Sequence, residues 1–358
     1  MPEREPAVHT SFDRLRTNGG KEAKPVGGSG SDHAAGSGGD PVVRQAHHER
    51  SSNDEPVRPE LVEGRAPQPE ATPPVRPEPV EGRAPNRPKP RIMILCGRSP
   101  RHLYVANRLC QAAEVTAIVH EAPAHWSAEK LRRNLKPKAL WRKGWRWLRD
   151  RRRYTGNPEA KFFFGTQTPS LQHPERVQEV SHINHPDLLQ LADSQRPDLI
   201  CVFGTSLIRG PLLERFTLVN LHGGLSPEYR GADCTFWALH NGEPEKVGCT
   251  LHFIDAGIDT GGLIAHVCPE IRPEDDELTL FWRAVRDSAD VYADLVARFA
   301  QGSLTGARQP GKGRLYQVKD RTWSSERRLA ERMARQPLKP MPARVNWFLP
   351  SAKAHLNT

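Results

Sequence analysis

The chain has 358 residues, with 52 Lys+Arg, 42 Asp+Glu and only 37% hydrophobic residues. Residues 1–90 carry 13 basic and 14 acidic residues, and residues 130–153 carry 12 basic and one acidic, so the formal charge of +10 belongs to a single patch and does not argue for a generally nucleic-acid-binding surface. No run of 18 apolar residues predicts a transmembrane helix, and no apolar stretch marks a secretory signal.

Residues 1–90 hold 15 Pro and 10 Gly but only 11 Val, Leu and Phe, with no Ile, Trp or Tyr. Such a stretch buries too little apolar surface to offset its ordering entropy, and it reads as a disordered low-complexity extension. Pro56–Pro67 recurs at 74–85, with Pro79 in place of Leu61, and the unit is too polar to stack as a solenoid. The peptides around Phe12–Gly19 and Gln45–Arg50 resemble translated intergenic repeat DNA. On this reading the true start lies near Met93, or the extension is dispensable.

From residue 91 the pattern changes. Arg91–Cys96 is an apolar run ending at Gly97, the mark of a buried parallel strand followed by a turn. A helix is expected over 101–113 and a second strand over 115–119, which together open a doubly wound α/β sheet. Further along, the pattern predicts a short helix at 187–194 and strands at 198–203, 218–222, 248–254 and 263–267. It also predicts helices at 231–241 and 277–301, the last with Leu278, Phe281, Val285, Ala289, Tyr292, Leu295, Val296 and Phe299 on one stripe. Six scattered cysteines (Cys96, Cys110, Cys201, Cys234, Cys249, Cys268), without a Cys-x-x-Cys pair, read as reduced thiols of a cytoplasmic protein.

Ligands of open α/β sheets bind beyond the carboxyl ends of the strands. Two such places carry chemistry here. Asn220 and His222 lie two apart on one strand face, and Asp255 and Asp259 lie in the Gly-rich loop 255–262. A histidine takes a proton from an attacking amine, an asparagine donates to a developing oxyanion, and a carboxylate orients the histidine. His222, His252, Asp255 and Asp259 also compose a possible metal site, although without a familiar close ligand spacing.

The stretch Asn220-Leu221-His222-Gly223-Gly224-Leu225-Ser226-Pro227-Glu228-Tyr229-Arg230-Gly231, followed by Asp255-Ala256-Gly257-Ile258-Asp259-Thr260-Gly261, resembles the folate-dependent formyltransferase family. The family pattern is Asn-x-His-x-Ser-Leu-Leu-Pro-x-Tyr-Arg-Gly and then Asp-x-Gly about 37 residues after the histidine; here His222 and Asp259 are 37 apart. Gly224 and Ser226 depart from the pattern. The resemblance covers about residues 92–300 and implies a Rossmann-like formyltransferase fold, with a catalytic domain at 91–305 and a short C-terminal extension at 306–358. It implies Asn220, His222 and Asp259 as the catalytic trio and 10-formyltetrahydrofolate as formyl donor, with no metal. Gly204, Ser206, Leu207, Ile208, Ile254, Asp255 and Gly257 are implied to hold the donor.

The acceptor is expected to be a primary amine on a small, phosphorylated or nucleotide-linked molecule. Only 57 residues follow position 301, with little strand pattern, which argues against tRNA, since methionyl-tRNA formyltransferases carry a barrel-like C-terminal domain. Arg98, Ser99 and Arg101 open a helix where relatives bind an acceptor phosphate, and Tyr229 and Arg230 belong to the motif. Glycinamide ribonucleotide transformylase activity and hydrolysis of the donor are the alternatives within the family. A scaffold without activity, binding a polyanion through 130–153, is the alternative outside it. In that basic segment Trp141, Trp145 and Leu148 share a helical face. The segment reads as a membrane-surface helix, a nucleic-acid contact, a lid over an anionic substrate, or an ordinary helix docked by its Trp face with its basic side in solvent.

Overall fold

The computed structural model describes residues 89–122, 137–300, 302 and 304–348. The extension over residues 1–88, its repeat, and the start of the basic segment lie outside the described residues.

An eight-stranded sheet runs through the molecule. Its strands are β1 (Arg91–Cys96), β2 (Glu114–Glu121), β3 (Val177–Val180), β4 (Leu199–Phe203), β5 (Leu218–His222), β7 (Cys249–Phe253), β8 (Leu263–Cys268) and β10 (Arg344–Trp347), in the spatial order β10-β8-β7-β5-β4-β1-β2-β3. The pairs β3–β2, β2–β1, β1–β4 and β4–β5 are parallel, and β5–β7, β7–β8 and β8–β10 are antiparallel. The expected doubly wound, mostly parallel α/β sheet is therefore present, with its strand order reversing between β1 and β4. A second sheet pairs β6 (Tyr229–Gly231) with β9 (Arg314–Tyr316).

The helices are α1 (Pro100–Ala112), α2 (Pro137–Arg153), α3 (Pro158–Phe164), α4 (Pro186–Gln195), α5 (Pro211–Arg215), α6 (Cys234–Asn241), α7 (Glu277–Phe299) and α8 (Trp323–Arg335). Both faces of the sheet are covered, which is why its central strands are apolar without alternation. Ile92, Ile94 and Cys96 pack with α1 and α7 in one cluster, and Met93 and Leu95 pack with Leu188 and Ala192 of α4 in another. In α7, Asp276 accepts from the Thr279 amide (2.8 Å) and the Thr279 hydroxyl accepts from the Asp276 amide (2.9 Å), a reciprocal cap on the longest helix. Tyr292, on the buried stripe of α7, donates to the Val219 carbonyl (2.7 Å) and accepts from the Val202 amide (3.0 Å). It thereby fixes β4 and β5 just before their functional ends.

Three expectations need correction. Helix α6 begins at Cys234 rather than near 231, because Tyr229–Gly231 pairs with β9. The residues after 305 supply β9, α8 and β10, and β10 is the edge strand of the main sheet, pairing Val345 with Val267. Its side chains are mostly exposed, so no apolar alternation announces it. The basic helix α2 is oriented opposite to the ordinary reading. Trp141 and Leu148 face solvent and Trp145 is half-buried, while Arg149 and Arg153 point inward.

Candidate active site

The polar ends of β5 and β7 meet the loop 255–262. Antiparallel pairing sets Asn220 opposite His252 and His222 opposite Thr250. Asp259 enters from the loop with φ 52, a left-handed conformation that Asp tolerates better than most residues. Its Oδ2 lies 3.4 Å from His222 Nδ1 and accepts from the Gly231 amide at 2.9 Å. Its Oδ1 lies 3.6 Å from His252 Nε2. His252 Nδ1 faces the Phe253 carbonyl at 2.8 Å, an acceptor, so this nitrogen carries the proton. His252 Nε2 then accepts from Asn220 Nδ2 at 3.2 Å, which leaves Asn220 its second amide hydrogen. Asn220, His252, Asp259 and His222 thus form one connected chain. Gln309 closes the loop from behind, donating to the carbonyls of Asp259 (2.9 Å) and Gly261 (2.8 Å).

His222 has an acceptor at each nitrogen: Asp259 on Nδ1, and the Tyr229 carbonyl at 3.0 Å from Nε2. A neutral ring satisfies one of them, and a ring that has taken a proton satisfies both. Burial pushes the pKa of His222 below its usual value, against the pull of the Asp259 carboxylate. Burial alone would raise the Asp259 carboxyl, but the charge of His222, the neighbouring His252 ring and the Gly231 amide hold it well below the usual carboxylate range. The pair is set as a neutral base beside a permanent carboxylate.

The trio opens on a cleft of about 250 Å³. All seven residues expected to hold the donor (Gly204, Ser206, Leu207, Ile208, Ile254, Asp255 and Gly257) line this cleft together with Asn220, His222 and Asp259. Val202, Phe203, Leu207, Ile208 and Ile254 give it apolar walls. Asp255 does not join His222, His252 and Asp259 as a fourth ligand. Its Oδ1 accepts from the Gly257 amide (3.0 Å) and the Thr260 hydroxyl (2.6 Å). Among the described residues no group of three or more His, Cys, Asp or Glu side chains is placed to hold a metal ion.

The expected acceptor residues divide. Arg98 pairs with Glu179 at 3.0 Å on the surface and is not among the residues lining the cleft. Arg101 does line it, but is buried against Glu159 at 2.8 Å. The Ser99 hydroxyl lies 2.7 Å from His102 Nδ1. Tyr229 is buried, hydrogen-bonded to Glu243 and stacked on Tyr316, and Arg230 Nη1 donates to the Ile258 carbonyl at 3.2 Å. These last two build the loop around the trio and do not line the cleft. Arg98→Ala is accordingly expected to leave the acceptor KM within about twofold, because an exposed ion pair contributes little. Arg101→Ala strands the Glu159 carboxylate and is expected to lower the melting temperature, as thermal denaturation reads directly.

Four contributors escaped the sequence reading. His252 was weighed only as a metal ligand. His102 fills the point where the strand order reverses. A Cβ on Gly97 would stand 2.5 Å from its Nδ1, and one on Gly204 2.2 Å from its Nε2, so both strands must end in glycine to seat the ring. Cys234 places its Sγ 3.6 Å from His222 Nε2. It explains the departure at Gly224, where a Cβ would stand 2.5 Å from Cys234 Cβ and 2.8 Å from His222 Nε2. The space a side chain at 224 would take is filled from α6 instead. Gly224→Ser is therefore expected to destabilise the fold by about 1–3 kcal/mol through overpacking and to displace His222; urea denaturation and kcat/KM read the two effects separately. Finally, Arg321 is 3% exposed and joins Asp233 (2.9 Å), Glu277 (2.7 Å) and Glu326 (2.6 Å), and the first two of these acids also line the cleft.

The chain is 30% identical over 181 residues to a methionyl-tRNA formyltransferase of Chlorobium chlorochromatii, covering 50% of this chain and 52% of that protein. It is 40% identical over 118 residues to the trifunctional purine biosynthetic protein adenosine-3 of Drosophila melanogaster, covering 32% of this chain and 9% of that one. The chain spans about half the length of the methionyl-tRNA formyltransferases it matches. Among solved structures, a sugar N-formyltransferase from Shewanella sp FDAARGOS_354 aligns with a TM-score of 0.45 at 16% identity, over 68% of this chain and 88% of that one. A family model described as formyl transferase matches residues 111–296, just over half of the chain and inclusive of Asn220, His222 and Asp259. The protein belongs to the formyl transferase family.

Proposed function

We propose that this enzyme transfers a formyl group from 10-formyltetrahydrofolate to the primary amine of a small acceptor. The observation that carries this reading is the connected chain Asn220–His252–Asp259–His222 opening on a single cleft. The apolar walls and polar rim of the cleft fit a flat heteroaromatic donor, and the trio marks where its formyl group would react. Of the two arginines that line the cleft, Arg101 is neutralised by Glu159, and Arg146 is the one that suits a phosphorylated or nucleotide-linked amine.

In this reading the second amide hydrogen of Asn220 bonds the attacked carbonyl oxygen as negative charge grows on it. His222 accepts the proton that the amine loses as its nitrogen bonds the formyl carbon, and gives it to the donor nitrogen when the bond between that nitrogen and the formyl carbon breaks. Asp259 and the Tyr229 carbonyl then hold the doubly protonated ring. No side-chain nucleophile is needed, and the burial of Cys234, with the nearby Asp259 and Asp233 carboxylates, pushes that thiol well above its usual pKa and keeps it protonated. The setting proposed is the cytoplasm; no helix among the described residues is long and apolar enough to cross a membrane.

Equilibrium dialysis tests the donor half of the proposal. Saturable binding of 10-formyltetrahydrofolate is expected, weakened at least roughly tenfold by Leu207→Glu, which puts a charge on an apolar wall. Absence of binding to the wild-type chain would remove the donor from the account.

A further inference from the structure

Helix α2 is built inside out. Its inward side is cationic: Arg149 pairs with Glu326 (2.9 Å) and Asp150 (2.7 Å), Arg153 pairs with Glu277 (2.7 Å), and Arg146 lines the cleft. Its outward side is apolar. Trp141 is 70% exposed, Trp147 61%, Leu140 49% and Leu148 45%. Seven large hydrophobic side chains are exposed among the described residues, and four of them stand on this one helix. Positions 140 and 147, and 141 and 148, are seven apart and the two rows are adjacent, so the four side chains form one strip. A strip of two indoles and two leucines held in water is unfavourable by itself, and contiguous exposed patches of this kind mark a contact surface.

The charges around the strip indicate what covers it. Arg151 and Arg152 are exposed beside it, and the Arg151 guanidinium lies 5.3 Å over the Trp147 ring. The single acid of the helix, Asp150, is tied to Arg149. The rest of the segment keeps the same sign, with 12 basic residues against one acidic over 130–153. Apolar centre, indoles and flanking arginines match an anionic bilayer surface, where the rings enter the headgroup–acyl boundary and the guanidinium groups meet lipid phosphates. A nucleic acid would require the opposite arrangement, with the arginines outward, and three of them are turned inward here. We propose that α2 is an interfacial helix that docks this protein on an anionic lipid bilayer through Leu140, Trp141, Trp147 and Leu148. Because Arg146 lines the cleft and Arg153 holds Glu277, docking would set the cleft beside that surface. The proposal does not depend on the formyl-transfer reading.

Vesicle sedimentation with the full chain tests it. Two compositions serve: phosphatidylcholine alone, and phosphatidylcholine with a quarter phosphatidylglycerol. Binding is expected to the anionic vesicles at low salt, to weaken in high salt, and to shift tryptophan emission to the blue. Trp141→Ser/Trp147→Ser is expected to weaken the partition roughly tenfold or more, with an unchanged melting temperature, since both rings are exposed. Arg151→Glu/Arg152→Glu should weaken binding to the anionic vesicles specifically. Failure to sediment with anionic vesicles at low salt, or a double-Trp variant that binds like the wild type, would overturn the proposal. So would displacement from vesicles by tRNA together with tRNA binding that the Trp substitutions leave intact.

Discussion

Asp259→Asn is expected to lower kcat/KM by about 10²–10⁴-fold, the range that a positioned base and its carboxylate support. The amide keeps the shape of the carboxylate, and Asn accepts the left-handed backbone at φ 52, so the loop should persist. What is lost is charge. Without it the protonated His222 meets only neutral acceptors, the substituted amide oxygen and the Tyr229 carbonyl. The pull that opposes burial also disappears, so the already lowered pKa of His222 falls further. The acid limb of the kcat/KM profile should therefore move to lower pH while the plateau drops. His222→Ala is expected to cost as much, and the double variant little more, because the two groups act as a unit. A pH–rate series on the three variants checks this. A plateau within a few fold of wild type would separate Asp259 from the chemistry.

Arg321→Met is expected to destabilise the fold by about 3–5 kcal/mol, out of about 5–15 for a whole domain. The guanidinium is almost fully buried and bonds three carboxylates, from Asp233, Glu277 and Glu326. Removing it leaves those acids in low dielectric, with Arg153 still paired to Glu277 and Arg149 to Glu326. Burial would raise the Glu277 carboxyl, but Arg321 and Arg153 hold it down to about 2 from an ordinary 4.5. That depression contributes stability present above about pH 4.5 and lost as pH falls toward 2. In Arg321→Met the Glu277 carboxyl is held down less, so less stability remains to be lost as pH falls from 4.5. Urea denaturation from neutral to acid pH measures both effects. Because Asp233 and Glu277 line the cleft, activity should fall with stability even where the variant remains folded. An unchanged unfolding midpoint would show that the network is not holding the C-terminal segment to the domain.

The legible parts of the molecule are those whose signal is local. β1, β4, β5 and β7 are short apolar runs buried on both faces, and α7 carries an unbroken stripe, so spacing alone locates them. That Asn220, His222 and Asp259 lie together was readable because the first two share a strand face and Asp259 sits at the motif distance. β3 and β10 were not readable, because edge strands owe their place to backbone pairing and leave their side chains exposed. The role of His252 depends on cross-strand register, which the sequence of one strand does not contain. Arg98 and Arg101 looked like an anion site because Glu179 and Glu159, which neutralise them, come from distant segments. For the same reason two partners of Arg321, Glu277 and Asp233, 44 and 88 residues away, gave no local sign. The inverted α2 was missed because its arginines find inward carboxylates only in the folded chain.

The central claim is that the cleft passes a formyl group from the folate to an amine under control of His222. The most direct measurement incubates the full chain with 10-formyltetrahydrofolate and fractionated amine pools. Tetrahydrofolate release is followed by absorbance and the formylated product by mass spectrometry. Release that requires an amine, names a small formylated acceptor and is abolished in His222→Ala is the predicted result. Equal release without any amine, or release that His222→Ala leaves intact, would contradict it.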